Sequence, residues 1–285
     1  MTKIVFFGSS IYSNIILEKL CTIPDFEVVA VVSKIDKPFG RDQIITPNPV
    51  AKFALDHRLN LIQLEEFSDK LKTEISQLEA DLGLCVAFGP PFFDQDMIDL
   101  FPKKIVNIHP SPLPKYRGAT PGPWQIINNE TSSAVTFFQI DALPDHGPVI
   151  AKLPFDITSS ETSESFYQKA FALATQNLDS VLKSYITNPE TILKEQDHSQ
   201  KTYFPKFTKE SAKIDWTWDG DKINRFVRAL LPWPIAWTEV KNSSGDILKM
   251  KIFSFNTQPL EVQIEGKNKT LWSQINQHYQ IIKQL

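Results

Sequence analysis

The stretch NIHPSPLPKYRG, residues 107–118, ends an apolar run with an amide and an imidazole two positions apart, then places three prolines within five residues. In an extended strand the side chains at i and i+2 share a face, about 7 Å apart. A carboxamide offers a neutral N–H donor suited to an oxygen that gains negative charge. An imidazole gives or takes a proton near neutral pH. Asn107 and His109 therefore suit a reaction through a tetrahedral oxyanion in which the substrate's own group attacks. Neither is a strong nucleophile, and the chain has no Gly-x-Ser-x-Gly elbow. Asp145, in LPDHG, sits in a turn-rich loop able to return to the same edge. A carboxylate beside His109 would orient the ring and favour its charged form, and it could take a proton or hold a water that does. Taken singly, the three residues also fit plainer roles: a turn-forming Asn, an internally bonded His and a turn Asp.

Such a trio needs an open parallel α/β sheet, in which ligands bind beyond the carboxyl ends of the strands. Lys3–Phe7 reads as a buried strand ending at Gly8, Ser9 and Ser10 cap a helix over Ile11–Leu20, and Glu27–Val32 is a second buried strand. This β-α-β order predicts a parallel, right-handed crossover. Residues 33–49 read as a loop, with Asn48-Pro49 opening a helix to His57. A strand at Leu59–Leu64, a helix over Asp69–Leu78, strands at Asp81–Phe88 and Lys104–His109, and a pair at Ser133–Ile140 and Pro148–Ile157 follow. Residues 161–185 carry an amphipathic helix. Pro110, Pro112 and Pro114 fix φ and remove amide donors, which predicts an extended, stiff loop with few internal hydrogen bonds, bending at Gly118. Gly89-Pro90-Pro91-Phe92, closing the neighbouring strand, is placed to wall an apolar slot for a flat ring.

Residues 188–208, with Asn188-Pro189, Pro205 and little periodicity, read as a linker between a domain over 1–187 and a small, mostly β domain over 209–285. The latter opens with a helix over Asp221–Leu231 and continues in strands at Ile235–Val240, Ile247–Phe255 and Tyr279–Ile282. Trp216, Trp233 and Trp237 are expected in its core. The net charge of −3 is unevenly spread: residues 1–204 carry 18 Lys/Arg against 25 Asp/Glu, and residues 205–285 carry 12 against 8. A basic end can face a phosphate backbone, or can be chance variation on solvated surfaces. Only Cys21 and Cys85 occur, both in apolar surroundings, so a disulfide framework is not expected and a reducing, cytoplasmic setting is. No apolar run approaches a membrane span, the N-terminus lacks a leader pattern, and no Cys/His spacing suggests a metal. Gly8-Ser9-Ser10 lacks the later glycines of a dinucleotide loop. His57, His146, His198 and His278 read as surface histidines.

NIHPSPLPKYRGATP followed by LPDHGPVI resembles the folate-dependent formyltransferases, whose pattern is an Asn-x-His pair, a Ser-Leu-Leu-Pro-like loop and an Asp before a glycine turn. Pro112 stands where the family usually has leucine, and Pro144 precedes the Asp. KPFGRDQIITPNPV, TYFPKFTKESAKIDW and RALLPWPIAWTEV extend the resemblance over nearly the whole chain, toward the branch of the family that acts on methionyl-tRNA. The resemblance implies a Rossmann-like, mostly parallel α/β sheet followed by an OB-like β domain. It also implies transfer of a formyl group from 10-formyltetrahydrofolate to the amine of methionyl-initiator tRNA, with no metal and no membrane. Asn107, His109 and Asp145 would be catalytic. Phe88, Gly89, Pro90, Ser111, Pro112, Leu113 and Pro114 would line the folate and substrate site. Lys37, Gly40, Arg41, Lys206, Lys209 and Lys213 would contact tRNA. A monomer is expected. The alternative within the family is an enzyme acting on a nucleotide-linked amino sugar.

Overall fold

The computed structural model describes residues 1–39 and 44–283. In chain order the first elements are β1 (Thr2–Gly8), α1 (Ile11–Leu20), β2 (Phe26–Lys34), β3 (Lys37–Phe39), β4 (Ile44–Thr46), α2 (Pro49–Asp56), β5 (Leu61–Leu64), α3 (Asp69–Ser76), β6 (Leu82–Val86), α4 (Gln95–Asp99) and β7 (Ile105–His109). Next come α5 (Pro121–Ile127), β8 (Ser132–Gln139), β9 (Val149–Asp156), α6 (Ser163–Thr187), α7 (Pro189–Ile192) and α8 (Gly220–Ala229). The chain closes with β10 (Trp237–Asn242), β11 (Ile247–Asn256), β12 (Gln258–Ile264), β13 (Lys269–Leu271), α9 (Trp272–Ile275) and β14 (Tyr279–Ile281). The residues gather into two compact units. One comprises Met1–Arg117, Ala134–Phe155 and Gln168–Tyr203; the other comprises Gly118–Ser133, Asp156–Tyr167 and Phe204–Leu285.

The first unit is built on a seven-stranded sheet in the order β5-β2-β1-β6-β7-β8-β9. Strands β5, β2, β1, β6 and β7 pair in parallel, and β8 runs antiparallel to β7. Ile4, Val5, Phe6 and Phe7 have no exposure, as an unbroken apolar run requires when helices cover both faces of a parallel sheet. The turn from β1 into α1 is tight: a Cβ on Gly8 would meet that of Ser13 at 2.6 Å. Ser10 and Ser13 cap α1 reciprocally, and the Ser13 hydroxyl donates to the Val86 carbonyl at 2.5 Å, tying the helix start to the end of β6. The chain fills one flank of β1 with β2 and β5 and the other with β6 and β7. The order therefore reverses between β1 and β6, where an open α/β sheet leaves a crevice at its carboxyl edge. Beneath that edge Phe7 meets Phe93, Phe88, Phe101 and Phe67 edge-on at 5.0–6.4 Å between centroids.

The loop expected over 33–49 instead contains a hairpin, β3 against β4, with Lys37 opposite Thr46. Each arm has three residues, too short for alternation to register, and Pro38 masks the first. Helix α5 escaped periodicity because it opens Pro-Gly-Pro. Strand β12 escaped because it carries Pro259. Residues 188–208 hold α7, and Lys194 then pairs with Val149 through two backbone hydrogen bonds of 2.8 and 2.9 Å.

The second unit carries a fully antiparallel sheet, β13-β12-β11-β10-β14, that buries Val240, Met250, Ile252, Val262 and Ile264. Asp219 caps α8, accepting from the Lys222 amide at 2.7 Å, and that helix buries Ile223, Phe226 and Val227. The three tryptophans are not core residues: Trp233 is exposed, and Trp216 and Trp237 are half-buried. Lys213 and Lys249 flank the Trp237 ring at 5.4 and 4.0 Å, using its face instead of burying it. Cys21 follows α1 and is exposed, contrary to its apolar neighbours in sequence; Cys85 is buried, and both are free thiols. Among the described residues no helix is long and apolar enough to cross a membrane, and no group of three or more His, Cys, Asp or Glu could hold a metal ion.

Candidate active site

Strand β7 is flanked by β6 and β8, so its backbone is fully engaged and its last residues are fixed. Asn107 lies opposite Cys85 and Phe138, and His109 lies opposite Thr136. Asn107 is half-buried, and its carboxamide makes no hydrogen bond among the described residues. His109 is buried. Its Nε2 stands 3.0 Å from the Tyr116 carbonyl oxygen. A carbonyl only accepts, so Nε2 carries a proton, and Nδ1 is the nitrogen left for chemistry. That Nδ1 stands 3.6 Å from Asp145 Oδ1, a charge-pair distance too long for a direct hydrogen bond. The fold thus brings the imidazole and the carboxylate together from positions 36 apart in sequence, on the face that Asn107 shares.

The loop carrying Asp145 joins β8 to β9 and is held by its own chemistry. Asp145 has φ 51°, in the left-handed region that non-glycine residues rarely occupy. Gly147 passes so close to Gln139 that an added Cβ would sit 2.0 Å from the Gln139 carbonyl oxygen. Asp141 accepts from the Leu143 amide at 3.0 Å and pairs with His146 Nδ1 at 2.6 Å, so His146 is a partly buried loop brace and not a surface residue.

The proline loop is wound, not extended. The amides that the prolines leave at 111, 113 and 115 bond back to His109, Ser111 and Pro112 at 2.9, 3.0 and 3.2 Å. These are tight turns closed across two or three residues. The Ser111 hydroxyl donates to the Lys115 carbonyl at 2.8 Å, and Thr136 Oγ1 donates to the Ser111 carbonyl at 2.6 Å. Ser111, Leu113 and Pro114 are buried and Pro112 is half-buried, so the loop presents mainly backbone. At the end of β6, Phe88 is buried while Gly89 and Pro90 are exposed. Gly89 has φ 69° with open space where a side chain would point. Lys34 lies 4.0 Å from the Phe88 ring centroid and donates to the Pro90 carbonyl. Burial lowers its pKa. Burial also pushes the Cys85 thiol up to about 12, which leaves it neutral and no nucleophile.

Three residues behind these loops, Arg117, Gln196 and His198, stand outside the candidate set read from the sequence, where His198 reads as a surface histidine; here it is partly buried. Arg117 is buried, and its Nη2 donates to Gln196 Oε1 at 2.7 Å and to His198 Nδ1 at 2.9 Å. Burial lowers the Arg117 pKa, opposed by the charges of Asp145 and Asp141. The His198 ring stacks on His146 at 4.0 Å. Desolvation, then His146 and Arg117, hold its pKa below the usual histidine value. The arginine beside Gly118 was the one visible signal; Gln196 and His198 lie in a stretch without periodicity.

Of the residues proposed to meet tRNA, Lys37 is exposed on β3, while Gly40 and Arg41 lie outside the described residues. In the second unit Lys206 and Lys209 are exposed, and Lys213 forms an ion pair with Glu239 at 2.9 Å.

A strand-end amide and imidazole beside a carboxylate thus meet at the carboxyl edge of a Rossmann-like sheet. Residues 2–182 match the family model described as formyl transferase, and residues 206–270 match the one described as formyl transferase, C-terminal domain. The chain is 36% identical over 237 residues to the methionyl-tRNA formyltransferase of Chloroflexus aggregans, covering 83% of this chain and 76% of that protein. Among solved structures it resembles the N-formyltransferase of Helicobacter canadensis in complex with folinic acid and dTDP-3-aminofucose, at 21% identity and TM-score 0.66 over 89% of this chain and 87% of that one. It also resembles the methionyl-tRNA formyltransferase from Clostridium thermocellum, at 14% identity and TM-score 0.59 over 99% of each chain. The chain belongs to the formyl transferase family and is a formyltransferase enzyme.

Proposed function

We propose that this enzyme transfers the formyl group of 10-formyltetrahydrofolate to the α-amine of methionine on initiator tRNA, giving N-formylmethionyl-tRNA for translation initiation in the cytoplasm. The observation that carries the reading is the site in the first unit: Nδ1 of His109 3.6 Å from Asp145, beside an Asn107 carboxamide that makes no hydrogen bond among the described residues. Support for the acceptor comes from the relative in Chloroflexus aggregans and from the match of residues 206–270 to the C-terminal family model. On this reading residues 1–187 form the catalytic domain, 188–208 the connection and 209–285 the tRNA-facing domain.

The residues present suit a folate. The open space over Gly89, the exposed Pro90 and the buried, backbone-presenting loop Ser111–Pro114 would hold it at the carboxyl edge of β6 and β7. When bound, it supplies an activated one-carbon unit to the attacking amine. The Asn107 amide then donates to the oxygen that gains charge. Nδ1 of His109, when protonated, donates to the same oxygen, and its 3.6 Å distance from Asp145 leaves it free to do so. Nε2 stays committed to the Tyr116 carbonyl and keeps the ring from turning. Asp145, beside Nδ1, would accept the proton shed by the amine as the new C–N bond forms and return it, through water, to the folate nitrogen that departs as its bond to the formyl carbon breaks.

Loss of one oxyanion donor costs on the order of 10²–10³ in turnover, about 2.7–4 kcal/mol. Asn107→Ala is expected to lose at least that much in formylation of methionyl-tRNA while unfolding at the wild-type temperature, and His109→Ala to lose at least as much with a lowered unfolding temperature, because it removes a buried ring and its bond to the Tyr116 carbonyl. Wild-type turnover in either variant would overturn the mechanism.

A further inference from the structure

We infer that residues 194–203 form a strap across the first unit whose Gln196 and Thr202 are positioning residues for the two catalytic loops; the inference rests on the catalytic roles proposed for His109 and Asp145. The strap touches both loops. Gln196 is buried, and its Nε2 donates to the Asp145 carbonyl at 3.1 Å and to the Gly147 carbonyl at 2.8 Å. Its Oε1 accepts from Arg117 at 2.7 Å, so both donors and the oxygen of one amide are engaged. Six residues on, Thr202 Oγ1 accepts from the Tyr116 amide at 2.8 Å, and the Thr202 carbonyl accepts from the Arg117 amide at 2.9 Å.

The consequence follows from what these two points hold. Tyr116 has φ 60°, and its carbonyl is the acceptor that fixes His109 Nε2. Asp145 has φ 51°. Both are non-glycine residues in the left-handed region, a conformation that persists only where surrounding bonds over-determine it. Thr202 supplies such a bond to Tyr116, and Gln196 supplies one to Asp145. The distance between Nδ1 and Oδ1 is therefore set from a segment about 50 to 90 residues away in sequence, which itself carries none of the reacting groups. Lys194 anchors the strap to β9 by paired backbone bonds to Val149.

Two substitutions separate positioning from mere stability. Gln196→Glu keeps the acceptor for Arg117 but turns two donated bonds into repulsion against two carbonyls. Thr202→Val removes the acceptor from an exposed side chain without opening a cavity, and Thr202→Ser restores it. With methionyl-tRNA and 10-formyltetrahydrofolate, Gln196→Glu and Thr202→Val are expected to lower kcat about 10- to 100-fold, the scale of a misplaced reacting group. KM for both substrates should stay within about twofold, and Thr202→Ser should return to within about twofold of wild type. Unchanged kcat, a loss confined to KM, or a loss that Thr202→Ser does not recover would overturn the inference. Asn107→Ala is assayed alongside. If it keeps wild-type turnover, the catalytic reading itself fails and the strap inference falls with it; if it is dead while the strap variants are normal, only the strap inference falls.

Discussion

Position 147 admits no side chain, because a Cβ there would sit 2.0 Å from the Gln139 carbonyl oxygen. Backbone cannot yield as a flexible side chain can, so Gly147→Ala must displace the loop that carries Asp145. The expected outcome is a stability loss of about 1–3 kcal/mol, as for other overpacking changes, with turnover reduced more than tenfold; a urea titration and a formylation assay check both. Wild-type values in each would show that the loop is softer than its contacts indicate. At this scale the site was partly legible. Asn107 and His109 announce themselves because strand alternation alone puts them on one face, and Asp145 because a turn-rich loop returns to the sheet edge. Gln196, Arg117 and His198 were not legible, since their bonds join residues separated by 51, 79 and 81 positions. No local pattern encodes such a pairing.

Helix α4 has five residues, starts at an Asp94 cap and buries Met97 and Ile98 in the core. Asp94 accepts from the Met97 amide at 2.9 Å and from Lys72 at 2.6 Å, and Lys72 first, then the Met97 amide, lower its pKa. A carboxyl whose folded pKa lies below its unfolded value of about 3.9 contributes stability above that pH and loses it as pH falls through the folded value. Asp94→Asn keeps the cap acceptor and loses the charge, so its small deficit in thermal midpoint at neutral pH should close in acid. Asp94→Ala should keep a deficit of about 1 kcal/mol there from the missing cap. Equal gaps at both pH values for Asp94→Asn would contradict the charge assignment. The same contrast explains which elements could be read in advance. Strands β1, β6 and β7 and helices α1 and α6 carry long, consistent apolar patterns. The hairpin β3–β4, α5 and β12 are short or proline-bearing, and tertiary pairing rather than local preference decides them. The proline loop departs from the extended form its prolines suggest for a related reason: prolines remove their own donors but leave the intervening amides to close turns.

Over the whole molecule, residues 1–204 are acidic in balance and residues 205–285 basic, and on the proposed function the basic part would meet the tRNA backbone. Lys206 and Lys209 are exposed in that part, while Lys213 already answers Glu239. The likeness to an N-formyltransferase solved with dTDP-3-aminofucose shows that this fold also occurs beside a nucleotide-linked amino sugar. Competition between the two acceptors therefore separates the proposed reaction from its alternative. The direct measurement offers the purified enzyme formyl-labelled 10-formyltetrahydrofolate together with methionyl-initiator tRNA and a dTDP-linked amino sugar, and follows the label. Label is expected on the methionine of the tRNA; label on the sugar, or on neither acceptor, would overturn the proposed reaction.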